Sequence, residues 1–499
     1  MRCVMWSWSN LWPGSAARLT SDASSALYNL TKQTSEMPTI NEILGGDLAE
    51  KERIEALQQK TLNVPVWGGR HGLQMQYDPT LHPVMDKCRY PDIVRDGGIE
   101  FVTRITLDFQ RLAAKRMSEL VCGIPIKRVY KPENDTQKLI AQYLERIFDR
   151  NRINSVNTDR CTRLFSQCEI FTLWYAVEQR NTLYGFDSPL KLRCRTFSPK
   201  EGDELYPFFD EYGDMVAMSI GYRRKVGCKD VSFFDTYTGD RHIKWSDNGA
   251  GWAVVEDEQT TLLKIPGIYA YRPTPIWEDT SRNVYEMEWA LSRNGNYLRE
   301  NSKPRFVVYA DEIIDYGNEK SGNHEFKSVL QFPPGAKAEY ITWSQATESL
   351  KYHIETLRSL FFTQLQLPDW SYEKMSQQAL SGESRKQMFI DAELKVQDES
   401  GRLLEFFDRE VNVVKAFLKL MLGERYHADI DALAVESVIT PYRIGDRKEE
   451  VEVLLTANGN KPIMSQRESI AQYGQSDDVD RTLAEISEES KADAFELTE

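Results

Sequence analysis

The sequence of 499 residues predicts an α+β protein. Three observations support this fold class. Helical periodicity dominates residues 41–170, short strands separated by tight turns follow up to residue 256, and helical patterns return from residue 283. Helices and strands therefore occupy separate stretches of the chain, which is typical of α+β proteins.

Helices are predicted first, in the N-terminal third. Apolar residues recur at helical spacing over 41–62, 99–121, 135–150 and 156–171. Gly123 and Pro125 end the second of these helices. Residues 63–98 contain many glycines and prolines and are predicted to form loops.

Strands follow. Alternating apolar residues predict strands over 171–178, 191–197, 216–226, 231–237, 241–245 and 252–256. Gly213, Gly239 and Gly249 lie in turn signals between them. Short strands joined by tight turns predict an antiparallel meander.

The C-terminal half predicts two helices that flank a small β insertion. The first helix spans 283–302. Strands at 305–309 and 326–332 follow, and the second helix spans 344–365 with one apolar face. A seventeen-residue loop, 366–382, leads to a helix over 383–422 that would be roughly 60 Å long. Short helices, such as 446–457 and 465–473, and an acidic end complete the chain.

Composition excludes several protein classes. Hydrophobic residues make up 41% of the chain, so we expect packed cores rather than wholesale disorder. No apolar run approaches the length of a membrane span. The formal charge is −14, of which −7 lies in residues 475–499, so the totals show no basic surface for gripping DNA. We expect the acidic end to be a disordered, solubilising segment.

The N-terminus and the cysteines indicate a protein made and kept in the cytoplasm. Residues 1–40 form an N-terminal arm, of which 1–36 are either a mobile segment or an over-extended gene start. They contain three tryptophans but no continuous apolar stretch, so no signal peptide is expected. The seven cysteines lack CxxC spacing, which favours reduced thiols over a disulfide framework or a zinc site.

Motifs that carry chemistry are not found. The sequence has no GxxxxGK[ST] phosphate loop, no GxGxxG after a strand and no HExxH. Cys161 and Cys168 lie about two turns apart on one helix and are expected to be buried thiols. The sequence therefore predicts no enzyme, no catalytic residue, no cofactor and no metal.

The order of the parts resembles a known family. Residues 120–126 (LVCGIPI), 196–201 (TFSPKE), 219–224 (SIGYRR), 367–371 (LPDWS) and 380–384 (LSGES) are similar to segments of portal proteins of tailed double-stranded DNA bacteriophages, of the siphophage type with about 500 residues. The resemblance extends over residues 40–425.

The resemblance implies a portal-like architecture. A mixed α/β wing (41–282) precedes two stem helices (283–302 and 344–365) that flank a small β clip (303–343). The tunnel loop (366–382), the long helix (383–422) and a helical crown with the acidic tail (423–499) follow.

The resemblance also implies a function and partners. Portals form a ring of twelve copies, a head–tail connector at one capsid vertex, through which DNA is packaged and ejected. The implied partners are double-stranded DNA, the terminase large subunit, a head-completion or adaptor protein and the major capsid protein, with no membrane. The implied location is the virion, after assembly in the host cytoplasm. Candidates to face the DNA channel are Asp369, Trp370, Tyr372, Glu373 and Lys374 in the tunnel loop.

Other interpretations stay open from the residues alone. Trp370 and Tyr372 could instead pack the loop against the long helix. A metal-dependent DNA-processing enzyme with clustered carboxylates would cleave DNA. A capsid or tail structural protein without a conduit would share the large assembly but lack a central channel.

Overall fold

A computed structural model describes residues 38–58, 69–95, 98–301, 305–309, 337–341, 347–369, 389–441, 465–473 and 479–496. The chain divides into a larger unit, residues 1–368 and 392–442, and a smaller unit, residues 369–391 and 443–499. Helices and strands are mixed, so the predicted α+β class is confirmed. The predicted elements at 326–332 and 446–457 lie outside the described residues.

The N-terminal helices of the larger unit are α1 (Ile40–Gly45), α2 (Glu50–Leu57), α3 (Gly69–Tyr77), α4 (Phe109–Cys122), α5 (Asp135–Arg150) and α6 (Ile153–Gln167). The single helix predicted over 41–62 is wrong, because α1 and α2 are separate. Gly46 interrupts them: a Cβ there would lie 2.6 Å from the carbonyl oxygen of Glu42. Each short helix has its own N-terminal cap, since Glu42 and Glu52 accept from the backbone amides of Thr39 and Ala49.

The helix predicted over 99–121 is also partly wrong. α4 begins only at Phe109, β1 (Ile93–Arg95) and β2 (Gly98–Glu100) form a small hairpin, and residues 101–108 belong to neither a helix nor a strand. Thr103, Ile105 and Thr106 are β-branched, which favours extended backbone.

Two antiparallel sheets follow. The three-stranded sheet has the order β11 (Gly267–Tyr271), β4 (Glu169–Asn181), β5 (Ser188–Phe197). The five-stranded sheet is a meander in chain order: β6 (Glu204–Phe209), β7 (Met215–Val226), β8 (Lys229–Thr238), β9 (Arg241–Asp247) and β10 (Trp252–Gln259). The predicted meander is therefore confirmed for the strands from residue 216 onward, whereas those predicted over 171–178 and 191–197 belong to the three-stranded sheet. The sequence prediction missed β6 and β11 as separate strands. Pro207 lies in β6, and a proline is tolerated there because β6 is an edge strand.

The described core of the larger unit includes three apolar clusters. One lies between α1, α2 and the five-stranded sheet, where Trp245 is completely buried. A second joins the two sheets through Phe171, Leu205 and Met218. The third packs α5 and β4 against the C-terminal part of the long helix described next.

The C-terminal elements of the larger unit begin with α7 (Ser281–Asn301), β12 (Arg305–Tyr309), β13 (Lys337–Ile341) and α8 (Thr347–Leu365). β12 and β13 pair antiparallel, so the partner of β12 follows Pro333-Pro334-Gly335 instead of preceding it. The long helix α9 (Ile390–Leu422) starts in the smaller unit and continues through the larger one, and the part predicted before Phe389 lies outside the described residues. α10 (His427–Ala432) and β14 (Ala434–Val438) follow, and β14 pairs with β3 (Lys127–Lys131).

The smaller unit contains α11 (Gln466–Tyr473) and α12 (Val479–Glu496), which pack together. Arg467 of α11 pairs with Asp480 of α12 at 3.0 Å. The expectation of a disordered acidic tail is therefore wrong for residues 479–496. Within α12, Arg481 and Glu485 are spaced i and i+4 and form an ion pair at 2.8 Å that supports the helix.

Of the described helices, none combines the length and the apolar character that a membrane span needs.

Candidate channel and assembly elements

The predicted channel residues are only partly described. Asp369 is half-buried and belongs to the smaller unit. Trp370, Tyr372, Glu373 and Lys374 lie outside the described residues.

The C-terminus of α8 sets where that loop begins. Gln366 has a φ of 55°, a conformation that usually falls to glycine at this position. The amide of Leu367 donates to the carbonyl of Phe362 at 3.2 Å, and the amide of Gln366 donates to Thr363 at 3.1 Å. These two bonds form a Schellman-type ending, and the burial of Leu367 supplies its apolar contact. The chain thus leaves α8 in a fixed direction.

Lys395 of α9 also stabilises the C-terminal end of α8. Its ammonium donates to the carbonyl of Leu365, the last residue of α8. A cation at a helix C-terminus interacts favourably with the helix dipole. Burial, with Arg272 nearby, lowers the pKa of Lys395 to about 8, although Glu399 and Asp279 oppose this shift. The end of α8 is therefore held by a lysine from α9.

The ion pair of Arg272 and Glu399 lies one turn further along α9. The guanidinium contacts both carboxylate oxygens, and Nη1 also donates to the carbonyl of Thr274 at 3.0 Å. The guanidinium lies 5.4 Å from the centre of the Phe165 ring. This pair joins α9 to the segment after β11 and to α6.

α7 and α8 pack against each other on either side of the β12–β13 hairpin. Asn283 Nδ2 donates to Gln364 Oε1 at 2.8 Å, and His353 lies 3.7 Å from Glu286. The apolar row predicted on α8 is fully buried at Phe361 and Leu365 but only half-buried at its first three positions, 350, 354 and 357. The packed part of α8 is thus its C-terminal half.

An extended segment lies along α7 and forms a ladder of hydrogen bonds. The amides of Thr103, Ile105 and Leu107 donate to the side chains of Asn296, Ser292 and Glu288 at 2.5, 2.9 and 2.8 Å. The donors are two residues apart and the acceptors are four residues apart. From one hydrogen bond to the next, the segment therefore advances by one strand repeat and the helix by about one turn. Gly295 permits the close approach, because a Cβ there would lie 2.9 Å from Thr103 Cγ2. Sequence reasoning missed this ladder because it treated residues 99–108 as helix.

Glu288 also binds the buried imidazole of His82. His82 Nδ1 lies 2.6 Å from Glu288 Oε1, and Nε2 lies 2.9 Å from the carbonyl oxygen of Gln76. A carbonyl can only accept, so Nε2 carries a proton. Both side chains are at most 1% exposed, so this His–Glu pair has no room for a substrate and serves to join the 79–85 segment to α7.

A second buried ionic cluster holds the middle of α9. Arg160 donates through both terminal nitrogens to Glu410 at 2.7 Å each, Trp174 donates at 3.1 Å, and Arg128 lies 3.5 Å away. Burial would raise the pKa of Glu410, but Arg160 and Arg128 hold it below its ordinary value. A buried carboxylate with this many donors is a structural anchor.

The larger unit also contains an open groove of about 1170 Å³. It is lined by the β6–β7 turn, β11, residues 38–40 and the first half of α9, with aromatic and charged side chains mixed. The described residues that line it include no histidine or cysteine. Among the described residues, no group of three or more His, Cys, Asp or Glu side chains is placed to hold a metal ion.

Comparison with known proteins identifies one family. A model described as phage portal protein, SPP1 Gp6-like, matches residues 93–495. A comparison with curated proteins gives no match.

Solved structures are similar over most of the chain. One comes from the virion of a native gene transfer agent particle, with 11% identity, a TM-score of 0.38, and coverage of 82% of this chain and 94% of that chain. Another comes from the neck of an empty gene transfer agent particle computed with C6 symmetry, with 10% identity, a TM-score of 0.37, and coverage of 73% and 89%.

Proposed function

The chain belongs to the SPP1 Gp6-like family of phage portal proteins, and from this premise we propose that it forms the ring-shaped channel at one capsid vertex. DNA enters the capsid through this ring during packaging and leaves through it at ejection. The ring contains twelve copies and serves as the head–tail connector of the virion. The chain acts by its shape and contacts and is not an enzyme.

The observation that carries the proposal is the order of elements in the larger unit. α7, the β12–β13 hairpin and α8 follow one another, and α8 leads through the loop to α9. We assign α7 and α8 to the stem (283–302 and 344–365), 303–343 to the clip, 366–382 to the tunnel loop and 383–422 to the long helix. Residues 41–282 are the wing and 423–499 the crown.

The fixation of α8 supports a role for the loop that follows it. Lys395 and the Schellman-type ending both hold the point where the loop leaves the stem. A fixed stem end gives the loop a defined starting point. We assign Asp369, Trp370, Tyr372, Glu373 and Lys374 to the channel surface on this ground and on the resemblance.

The charge of the chain also suits a conduit. Each phosphate that a protein neutralises adds salt-dependent affinity, so a strongly basic channel would stall the DNA. Outside the acidic end (475–499), the chain carries a net charge of only −7, which provides a mildly repulsive environment that keeps a duplex centred.

Partners follow from the same proposal. The terminase large subunit docks at the clip and supplies ATP-driven translocation. A head-completion or adaptor protein binds after packaging, and the major capsid protein surrounds the ring. Assembly takes place in the host cytoplasm.

The ring is tested by native mass spectrometry and negative-stain imaging of the purified chain. Twelve copies of 57.7 kDa amount to about 692 kDa. Rings near that mass with a central hole are the expected result. A chain that stays monomeric even when co-expressed with its capsid protein would contradict the proposal.

The tunnel loop needs a separate test. Deletion of Ser371–Gln378 should preserve the ring mass but impair packaging or retention of DNA in a particle assembly assay. The matched control is alanine substitution of Trp370 and Tyr372 alone, which distinguishes packing of the loop from its length. Unchanged packaging and retention in the deletion variant would refute the channel assignment while leaving the ring intact.

A further inference from the structure

The tip of the β7–β8 hairpin is basic in an acidic chain. Residues 223–230 have the sequence RRKVGCKD. They contain one acidic residue, Asp230, and four basic residues: Arg223, Arg224, Lys225 and Lys229. The tip carries a net charge of +3, whereas the whole chain carries −14. The sequence analysis interpreted part of this segment only as a strand, although four cations within seven residues already indicate a basic site.

The hairpin presents these cations on two faces. The strands pair as far as Val226 opposite Lys229, and Gly227-Cys228 forms a two-residue turn with a φ of 65° at Gly227. Side chains alternate along a strand and paired residues share a face. Arg223 and Lys225 therefore lie on one face, and Arg224 and Lys229 on the other. All residues from 223 to 230 are exposed, so both faces of the tip are open to solvent.

The tip cations form no ion pair with any other residue that the structure describes. Of the ion pairs between described residues, none includes Arg223, Arg224, Lys225 or Lys229. The neighbouring β9–β10 hairpin differs, because Arg241 pairs with Asp257 at 2.6 Å and Lys244 with Glu256 at 3.1 Å. The tip thus keeps its positive charge available to an outside anion.

The base of the tip is stiff. Tyr222 stacks on Phe233 with ring centres 5.4 Å apart, and the guanidinium of Arg224 lies 4.7 Å from the Tyr222 ring. A fixed ribbon loses less conformational entropy on binding than a free loop. Its charges are therefore held ready for a partner.

We propose that this tip binds the phosphate backbone of double-stranded DNA without regard to sequence. A two-stranded ribbon with cations on both faces can contact phosphates on either side of a groove. A protein partner would need an apolar contact centre, and the tip offers a single large aliphatic side chain, Val226. The choice of DNA rests on the proposed function, which brings a duplex to this protein, but the site is separate from the tunnel loop.

The first test measures binding of a fluorescein-labelled 30-base-pair duplex of random sequence over a series of salt concentrations. The variant R223A/R224A/K225A/K229A should bind more weakly, and the slope of log Kobs against log salt should become shallower by about 3 to 4, since each lost phosphate contact removes about 0.9. The matched control is R241A/K244A, whose cations are already paired, and its slope should equal that of the unaltered protein. Equal affinity and slope for the fourfold variant would overturn the proposal.

Cys228 gives a second, independent readout. It is an exposed thiol in the turn itself, and Cys88 is an exposed thiol elsewhere in the larger unit. The duplex should slow maleimide labelling of Cys228 and leave labelling of Cys88 unchanged, as measured by peptide mass spectrometry. Equal or better protection of Cys228 by polyglutamate at the same charge concentration would overturn DNA as the partner and indicate an acidic protein surface. Native mass recorded on the same samples reports ring formation, so a failed ring and a failed DNA site are distinguished.

Discussion

The two halves of the long helix α9 differ in how far they are buried. Residues 390–408 bury one face, and Leu394 is 55% exposed. Residues 410–421 are buried on nearly every side: Glu410, Val411, Val413, Val414, Lys415, Ala416, Phe417, Leu418 and Met421. The second half is part of the core of the larger unit, whereas the first half is a surface helix.

The means of attachment differ accordingly. The second half packs against α5 and β4 through aliphatic and aromatic side chains, with Glu410 as its buried ionic anchor. The first half also buries apolar side chains, among them Val396, Leu403 and Phe407, and it adds two polar attachments. These are the Arg272–Glu399 pair and the contact of Lys395 with the end of α8. One continuous helix therefore joins a part that is buried on nearly every side to a part that keeps one face exposed. In the portal proposal, the part with the exposed face is the one that follows the tunnel loop in the chain.

The largest expected effect is at Glu410. Its replacement by alanine leaves Arg160 and Arg128 buried without a counter-charge, so the free energy of unfolding should fall by about 3 to 5 kcal/mol. Urea denaturation followed by tryptophan fluorescence, at fixed protein concentration, measures this. The control on the same helix is Glu405→Ala, whose exposed i, i+4 pair with Arg409 contributes about 0.5 kcal/mol or less. Similar losses in the two variants would show that the buried cluster stabilises the protein no more than an exposed ion pair does.

Leucines at the two ends of α9 provide the next test. Leu418 is completely buried, so Leu418→Ala should cost about 2 to 5 kcal/mol of unfolding free energy. Leu394→Ala should change it by about 0.5 kcal/mol or less, because Leu394 is 55% exposed. A large loss at Leu394 in the same urea titration would show that the exposed face of the first half is also packed, for instance by a second copy.

Lys395 makes a prediction about pH. Its pKa is about 8 in the folded protein and 10.5 ordinarily, so between these values the unfolded chain binds more protons. The stability of the unaltered protein should therefore rise relative to Lys395→Met as pH increases from 8 to 10.5, by up to about 3 kcal/mol. Chemical denaturation across this pH range tests the sign. Lys395→Arg keeps its charge and should not show the rise, and a falling difference for the unaltered protein would contradict the prediction.

The smallest expected effect is at a glycine. Gly401 lies inside the first half of α9 with no atom within 4 Å of the position a Cβ would take. Gly401→Ala should raise the free energy of unfolding by about 1 kcal/mol, because alanine favours the helix. Gly295→Ala in α7 is the matched control with the opposite sign, since its Cβ would meet Thr103 at 2.9 Å. Stabilisation by both substitutions, as read from thermal melting, would show that the ladder can move aside.

Local sequence signals predicted the parts of the fold that depend on neighbours in the chain. The meander was predicted because alternating apolar residues mark its strands and glycines such as Gly239 mark the turns that reverse the chain between them. Residues 101–108 were predicted wrongly because their hydrogen-bond partners on α7 lie more than 180 residues away.

The candidate site was less predictable than the fold. The sequence indicated the loop, yet of its five proposed channel residues only Asp369 is described. The contacts beside the loop were missed because Lys395 and Leu365, like Glu410 and Arg160, meet only through tertiary structure. Charge runs are visible without tertiary structure, and the basic β7–β8 tip could have been identified from its letters alone.

The ladder between residues 103–107 and α7 joins two backbones with slightly different repeat lengths, and it fixes their relative position along the helix axis. Two extended residues advance about 6.6 Å and four helical residues about 6.0 Å, so the two scales drift apart by about 0.6 Å per rung and stay in step for only a few rungs. A slip of one turn that moves Thr103 from Asn296 to Ser292 would bring Leu107 opposite Val284, which has no acceptor. That slip would leave one partly buried amide unpaired, at a cost of about 1 to 3 kcal/mol. Axial sliding of α7 is thus blocked in one direction by the chemistry of a single aliphatic side chain.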